Sequence, residues 1–152
     1  MLEYDFQSSM GHWVCMTAHL YGRAMNEELM PEGITFRQCQ VLGWLALEGE
    51  LSQVELADRM NIEPGTLVRV LDRMERGRLI ARMSCPGDRR RKIIRPLRSA
   101  ESVWKKIIVC AERVRARAIH GLTRDELNTL KKLLDRVQTN LGKEKIVREI
   151  AS

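Results

Sequence analysis

The segment from Ser52 to Gly77 carries start and stop signals for two short helices, with room for only a tight turn between them. In LSQVELADRM, Ser52 followed three residues later by Glu55 fits a reciprocal cap, in which each side chain satisfies an amide left free at the helix start. Val54, Leu56, Ala57 and Met60 are then available for packing. Asn61-Ile62-Glu63 reads as a turn, and Pro64 suits the first position of a second helix, where its missing amide hydrogen has no partner to lose. Gly77 closes that helix. Within it Leu67, Val70, Leu71 and Met74 follow i, i+3, i+4, i+7 and form a stripe to be buried. Gly65, Arg69, Asp72 and Arg76 lie opposite, flanked by Thr66 and Arg73. Two short helices about a turn, the second presenting Thr and Arg outward, make a helix-turn-helix pattern.

The next residues sharpen the pattern. LIARMS and KIIRPL read as two strands, and the intervening CPGDRRR supplies turn chemistry, so a β-hairpin follows the second helix with arginines at and just after its tip. Residues 78–98 hold eight Lys or Arg and one Asp, a net charge of +7 within a chain of net +6. The rest of the chain is therefore close to neutral, and all the excess charge sits beside the helix-turn-helix. A patch of that kind attracts polyanions, nucleic acid first.

Around this core the periodicity is helical. Apolar residues at Trp13, Met16, Leu20 and Ala24 predict a helix over about 9–29, ended by Pro31-Glu32-Gly33. A well-buried helix is expected over about 35–47. Ser99 opens another, with Val103, Trp104, Ile107, Ile108, Ala111 and Val114 on one side. His120-Gly121-Leu122 breaks it, and Thr123 to Glu126 caps a last helix whose Leu127, Leu130, Leu134, Val137 and Leu141 form a seam for helix pairing. The fold class expected is mainly α with a small β-hairpin wing. At 152 residues and 44% hydrophobic content the chain is expected to form one domain with a real core. No run approaches the ~18 apolar residues of a membrane span, and MLEYDFQSS lacks the order of a signal peptide, so a cytoplasmic protein without membrane contact is expected. Cys15, Cys39, Cys85 and Cys110 form no CxxC pair, which predicts free thiols. There is no P-loop, G-x-S-x-G, H-E-x-x-H or usefully spaced carboxylate pair, and no enzyme is expected.

The stretch from Ile34 to Leu97 resembles the core of MarR-family regulators. The matching features are LADRM, the P-x-T-L-V-R-x-L-D-R-M-E-x-G-x-x-I run from Pro64 to Ile80, and D-x-R at Asp88 and Arg90. The resemblance implies a winged helix-turn-helix core over 34–98, with dimerisation helices in 1–33 and 99–152. It implies a homodimer on a pseudo-palindromic double-stranded DNA operator, with repression relieved by a small ligand or by oxidation. One departure is that Pro96-Leu97 stands where the family usually has Leu-Thr, which moves the expected cap of the next helix to Ser99.

The candidate DNA contacts follow from chemistry. Thr66 and Arg69 lie in the N-terminal half of the recognition helix and suit base edges, and Gly65 allows close approach. Ser52 and Gln53 suit phosphate contacts at a helix start, and Arg73 a phosphate or an ion pair. On the wing, the resemblance assigns Arg90 to the minor groove with Asp88 orienting it, while Arg89, Arg91 and Lys92 neutralise the backbone. For an effector, MarR-like proteins commonly bind aromatic acids or phenols. His12, Met16, His19 and Arg23 share one helix face, and Trp13, Met16 and Trp44 could form an apolar wall, with plain core packing as the bland alternative. Cys15 resembles the position of the reactive cysteine in hydroperoxide-sensing relatives, but its neighbourhood lacks the tyrosine donors, and a buried, inert thiol is the preferred reading. His12, Cys15 and His19 occupy successive turns without further ligands at metal spacing, so neither metal nor cofactor is expected. The alternatives are a redox-sensing repressor built on Cys15 and an architectural DNA-binding protein with no effector.

Overall fold

The structure, a computed structural model, describes residues 1–85 and 87–142, and the side chains of Arg89 and Arg90 lie outside that description. The chain divides into two compact units, Met1–Val114 and the segment from Arg115 onward. The order of elements is α1 (Met10–Leu29), a single 3-10 turn (Met30–Glu32), α2 (Phe36–Glu48), β1 (Leu51–Ser52), α3 (Gln53–Met60), α4 (Pro64–Arg76), β2 (Ile80–Cys85), β3 (Asp88–Pro96), α5 (Ala100–Ala118) and α6 (Arg124–Asn140).

Local signals set most boundaries. Ser9 caps α1 by accepting from the His12 amide, and Thr35, Ser52 and Thr123 each form a full capping box with Gln38, Glu55 and Glu126. Asn61 takes the left-handed conformation at the end of α3, a position asparagine tolerates better than most residues. Ser99 stands immediately before α5, and its hydroxyl donates to the Arg78 carbonyl and so ties the hairpin base to the entry of α5.

The first unit packs around Leu29, Val41, Leu56, Leu67, Leu71, Met74, Ile80 and Ile94, all at most 1% exposed, joined by Ile107, Cys110 and Val114 from α5. Val54 and Ile108, expected to pack, are exposed instead. Both lie outside the buried stripe of their helix.

The hairpin is a wing of three strands. β3 is central, pairing antiparallel with β2 from Ile80↔Pro96 to Cys85↔Asp88, and with β1 through Leu51↔Ile94 and Ser52↔Ile93. The expected long loop is absent, since residues 88–91 are already in β3. The backbone of the basic run thus belongs to a strand rather than to a loop.

Candidate nucleic-acid interface

The two faces of α4 differ. Leu67, Leu71 and Met74 are fully buried, whereas Gly65, Thr66, Arg69, Arg73 and Arg76 are exposed. The start of the helix is tightened by the Thr66 and Leu67 amides, which both donate to the Glu63 carbonyl at 2.9 and 3.2 Å. A Cβ added at Gly65 would meet nothing within 4 Å, so packing within the chain does not demand glycine there. The space is open to a partner.

Ser52 corrects its expected role. It is 3% exposed, its hydroxyl accepts from the Glu55 amide at 3.2 Å, and its own amide donates to the Glu55 carboxylate at 2.7 Å. A buried hydroxyl committed to a cap is not presented to a phosphate, while the neighbouring Gln53 stays half-buried at the surface. Burial alone would raise the Glu55 carboxyl, but hydrogen bonds from Ser52 and the nearby Arg91 outweigh it and hold the group below the usual range. Arg91 Nη2 lies 3.3 Å from Glu55 Oε1 and joins the wing to α3. Ser52, Val54, Glu55, Asp88 and Arg91 line an open cleft of ≈ 410 Å³ between them.

The charge of the basic window is distributed differently from its sequence. On β2, Arg82 Nε donates to Glu75 Oε2 at 3.0 Å, Nη2 donates to the same oxygen at 2.6 Å, and Nη2 also donates to Asp72. The Arg82 amide adds a bond to Glu75 Oε1 at 3.2 Å. The Arg82 guanidinium holds the Glu75 carboxyl below its ordinary value. Lys92 donates to Ser84 at 2.8 Å across the hairpin, and Arg95 pairs with Glu50 at 2.6 Å. Among the described residues, no carboxylate pairs with Arg69, Arg73, Arg76, Arg78 or Arg98. The uncompensated charge therefore runs along the exposed face of α4 and around the hairpin base. Sequence reasoning counted Arg82 as part of the patch and missed its tie to α4. The available signal was Asp72 and Glu75, an i, i+3 acidic pair set among arginines.

The candidate effector residues are partly dispersed. His12 is half-buried and stacks edge-on with Phe6 and Trp13, at centroid separations of 5.5 and 6.0 Å. Trp13 and Met16 are exposed, so neither is core within this chain. His19 is exposed too, and Arg23 pairs with Glu27 on its own helix at 3.2 Å. Trp44 belongs to different surroundings, packed on the core with the Arg59 guanidinium 6.0 Å above its ring. None of the six lines the wing cleft, nor a second cleft of ≈ 250 Å³ formed by Glu32, Lys105, Lys106, Val109, Cys110 and Arg113.

Cys15 also departs from expectation. It is exposed, while Cys39 and Cys110 are buried, and burial pushes the Cys39 thiol up to about 11. Among the described residues, no cluster of three or more His, Cys, Asp or Glu could hold a metal ion, and no helix is long and apolar enough to cross a membrane.

A helix-turn-helix with a three-stranded hairpin tied beside its second helix defines a winged helix-turn-helix protein. Residues 32–91 match the sequence model of the MarR family. Wild-type MarR from E. coli in its apo form superposes with a TM-score of 0.76 at 26% identity, covering 90% of this chain and 98% of that one. A cysteine-to-serine variant of the same protein complexed with operator DNA gives 0.73 at 26%, covering 84% and 92%. BpsR from Bordetella bronchiseptica, whose DNA binding is regulated by 6-hydroxynicotinic acid, shares the fold at 0.75 and 21%, covering 90% and 98%. The fold, and the sequence pattern over residues 32–91, are those of MarR-family transcriptional regulators.

Proposed function

We infer that the chain is a dimeric repressor that binds a pseudo-palindromic double-stranded DNA operator and leaves it on binding a small aromatic or phenolic ligand. The observation that carries the DNA reading is the solvent face of α4, where Gly65, Thr66, Arg69 and Arg73 stand exposed beside the wing. Thr66 and Arg69 read bases, Arg73 takes phosphate, and Arg90, oriented by Asp88, enters the minor groove with Arg89, Arg91 and Lys92 along the backbone. The operator complex of the E. coli relative supports the DNA-binding reading, and the regulation of BpsR by an aromatic acid supports an effector of that class.

Dimerisation is supported by exposed apolar side chains on helices that a lone chain would leave wet. Trp13, Val14, Leu20 and Tyr21 lie exposed on α1, and Leu130, Leu133 and Leu134 on α6. The end of the proposed dimerisation region, residues 143–152, lies outside the described residues.

Selection of bound fragments from sheared genomic DNA at near-physiological salt tests the reading. A recovered palindrome with half-sites about one helical turn apart is the expected result. Fragments with no common site would replace it with an architectural protein reading charge alone. The exposure of Cys15 favours a second reading, in which oxidation of this thiol releases the operator. Mass spectrometry after mild peroxide separates the two: sulfenic acid or disulfide at Cys15 together with lost DNA binding selects the redox switch.

A further inference from the structure

We propose that Arg82 is a positioning residue for DNA recognition, locking the wing to the recognition helix so that the two reading elements engage together. The inference rests on the DNA-binding reading above. β2 leaves the core at Ile80, which is 1% exposed, and Arg82 is the next residue on the same strand face. From there its guanidinium reaches Glu75 through two nitrogens at 2.6 and 3.0 Å and also reaches Asp72, so one side chain from the wing holds two carboxylates one turn apart on α4. The Arg82 amide bonds the same glutamate, which fixes the strand as well as the side chain. Farther toward the tip, the wing is tied by Lys92 to Ser84, a bond within the hairpin, and by Arg91 to Glu55 on α3. Among the described ion pairs, Arg82 is thus the one that ties the wing to the recognition helix. A forked, always-charged guanidinium suits that task because it sets an angle as well as a distance.

A double-mutant cycle measures the coupling. Arg90→Ala is made alone and combined with Arg82→Met, and affinity for a selected operator is titrated against salt. Arg82→Met is expected to weaken binding roughly tenfold and to lower the salt slope by about one. Arg90→Ala, costly in the native chain, is expected to cost less than about twofold in the Arg82→Met background. Full additivity in a folded Arg82→Met protein would overturn the proposal. Glu75→Gln removes the main partner from the α4 side and must lose the coupling too, which decides the matter should Arg82→Met not fold. Hydrogen exchange in the free protein gives an independent reading. Hairpin amides are expected to exchange faster in Arg82→Met while those of α2 and α3 are unchanged, and equal exchange would count against the lock. A native chain that binds no fragment, with a hairpin that loosens in the variant, would sink the regulator reading and with it the role in recognition, leaving only the tie between wing and α4.

Discussion

Substitutions of single side chains on α4 test base reading against backbone attraction. Arg69 is exposed without an acidic partner among the described residues, and Arg69→Ala should relax preference at one base position at a cost of about 1–3 kcal/mol. Binding titrations on a panel of single-base operator variants check this, and a uniform loss across the panel would make Arg69 a phosphate contact. Gly65→Ala should leave thermal stability unchanged or slightly higher, since the added methyl meets no atom and alanine favours helix by roughly 0.5–1 kcal/mol. The same variant should bind operator more weakly, and unchanged affinity would remove the close approach. Glu75 carries a pH signature. Its folded carboxyl is held below the ordinary value by Arg82, so its stabilising contribution is complete above the unfolded value and is lost as pH falls through the folded one. The melting temperature should therefore fall with acidification below about pH 4.3, and Glu75→Gln should flatten that trend.

Elements differ in how much of themselves the sequence displayed. The helices with reciprocal caps were legible because a cap is a local device, and Ser52→Ala should destabilise the fold by about 1 kcal/mol in denaturant titration. β1 was not legible, since two residues are too few to show alternation and their strand character comes from pairing with Ile93 and Ile94. The arginine run was read as loop, yet a bulge between Ser84 and Cys85 lets the strands continue almost to the turn, leaving residues 88–91 extended. Of the candidate site, exposure along α4 followed directly from helical spacing. Committed neighbours did not, because the burial of Ser52 and the pairing of Arg82 with Asp72 and Glu75 depend on residues brought together by the tertiary fold.

At the scale of the whole molecule, the apolar surface of α6 should decide the assembly. Leu134→Glu is expected to shift the protein from dimer to monomer in sedimentation analysis and to reduce operator affinity with it, and a dimer that persists would place the interface elsewhere. The exposure of Cys15 was beyond reach of the sequence for a related reason: a helix apolar around much of its circumference reads as core even when one chain alone does not cover it. β1 has a consequence for how the chain acquires its shape. Leu51 meets Ile94 only after the polypeptide has travelled out through α3, α4 and most of the hairpin, so both helices of the helix-turn-helix sit inside one closed loop. Closing such a loop loses chain entropy before any contact repays it, which makes the step late and cooperative. A fragment ending at Gly77 has both helices and no closure, and is expected to show less helix by circular dichroism than the same residues contribute in the whole chain.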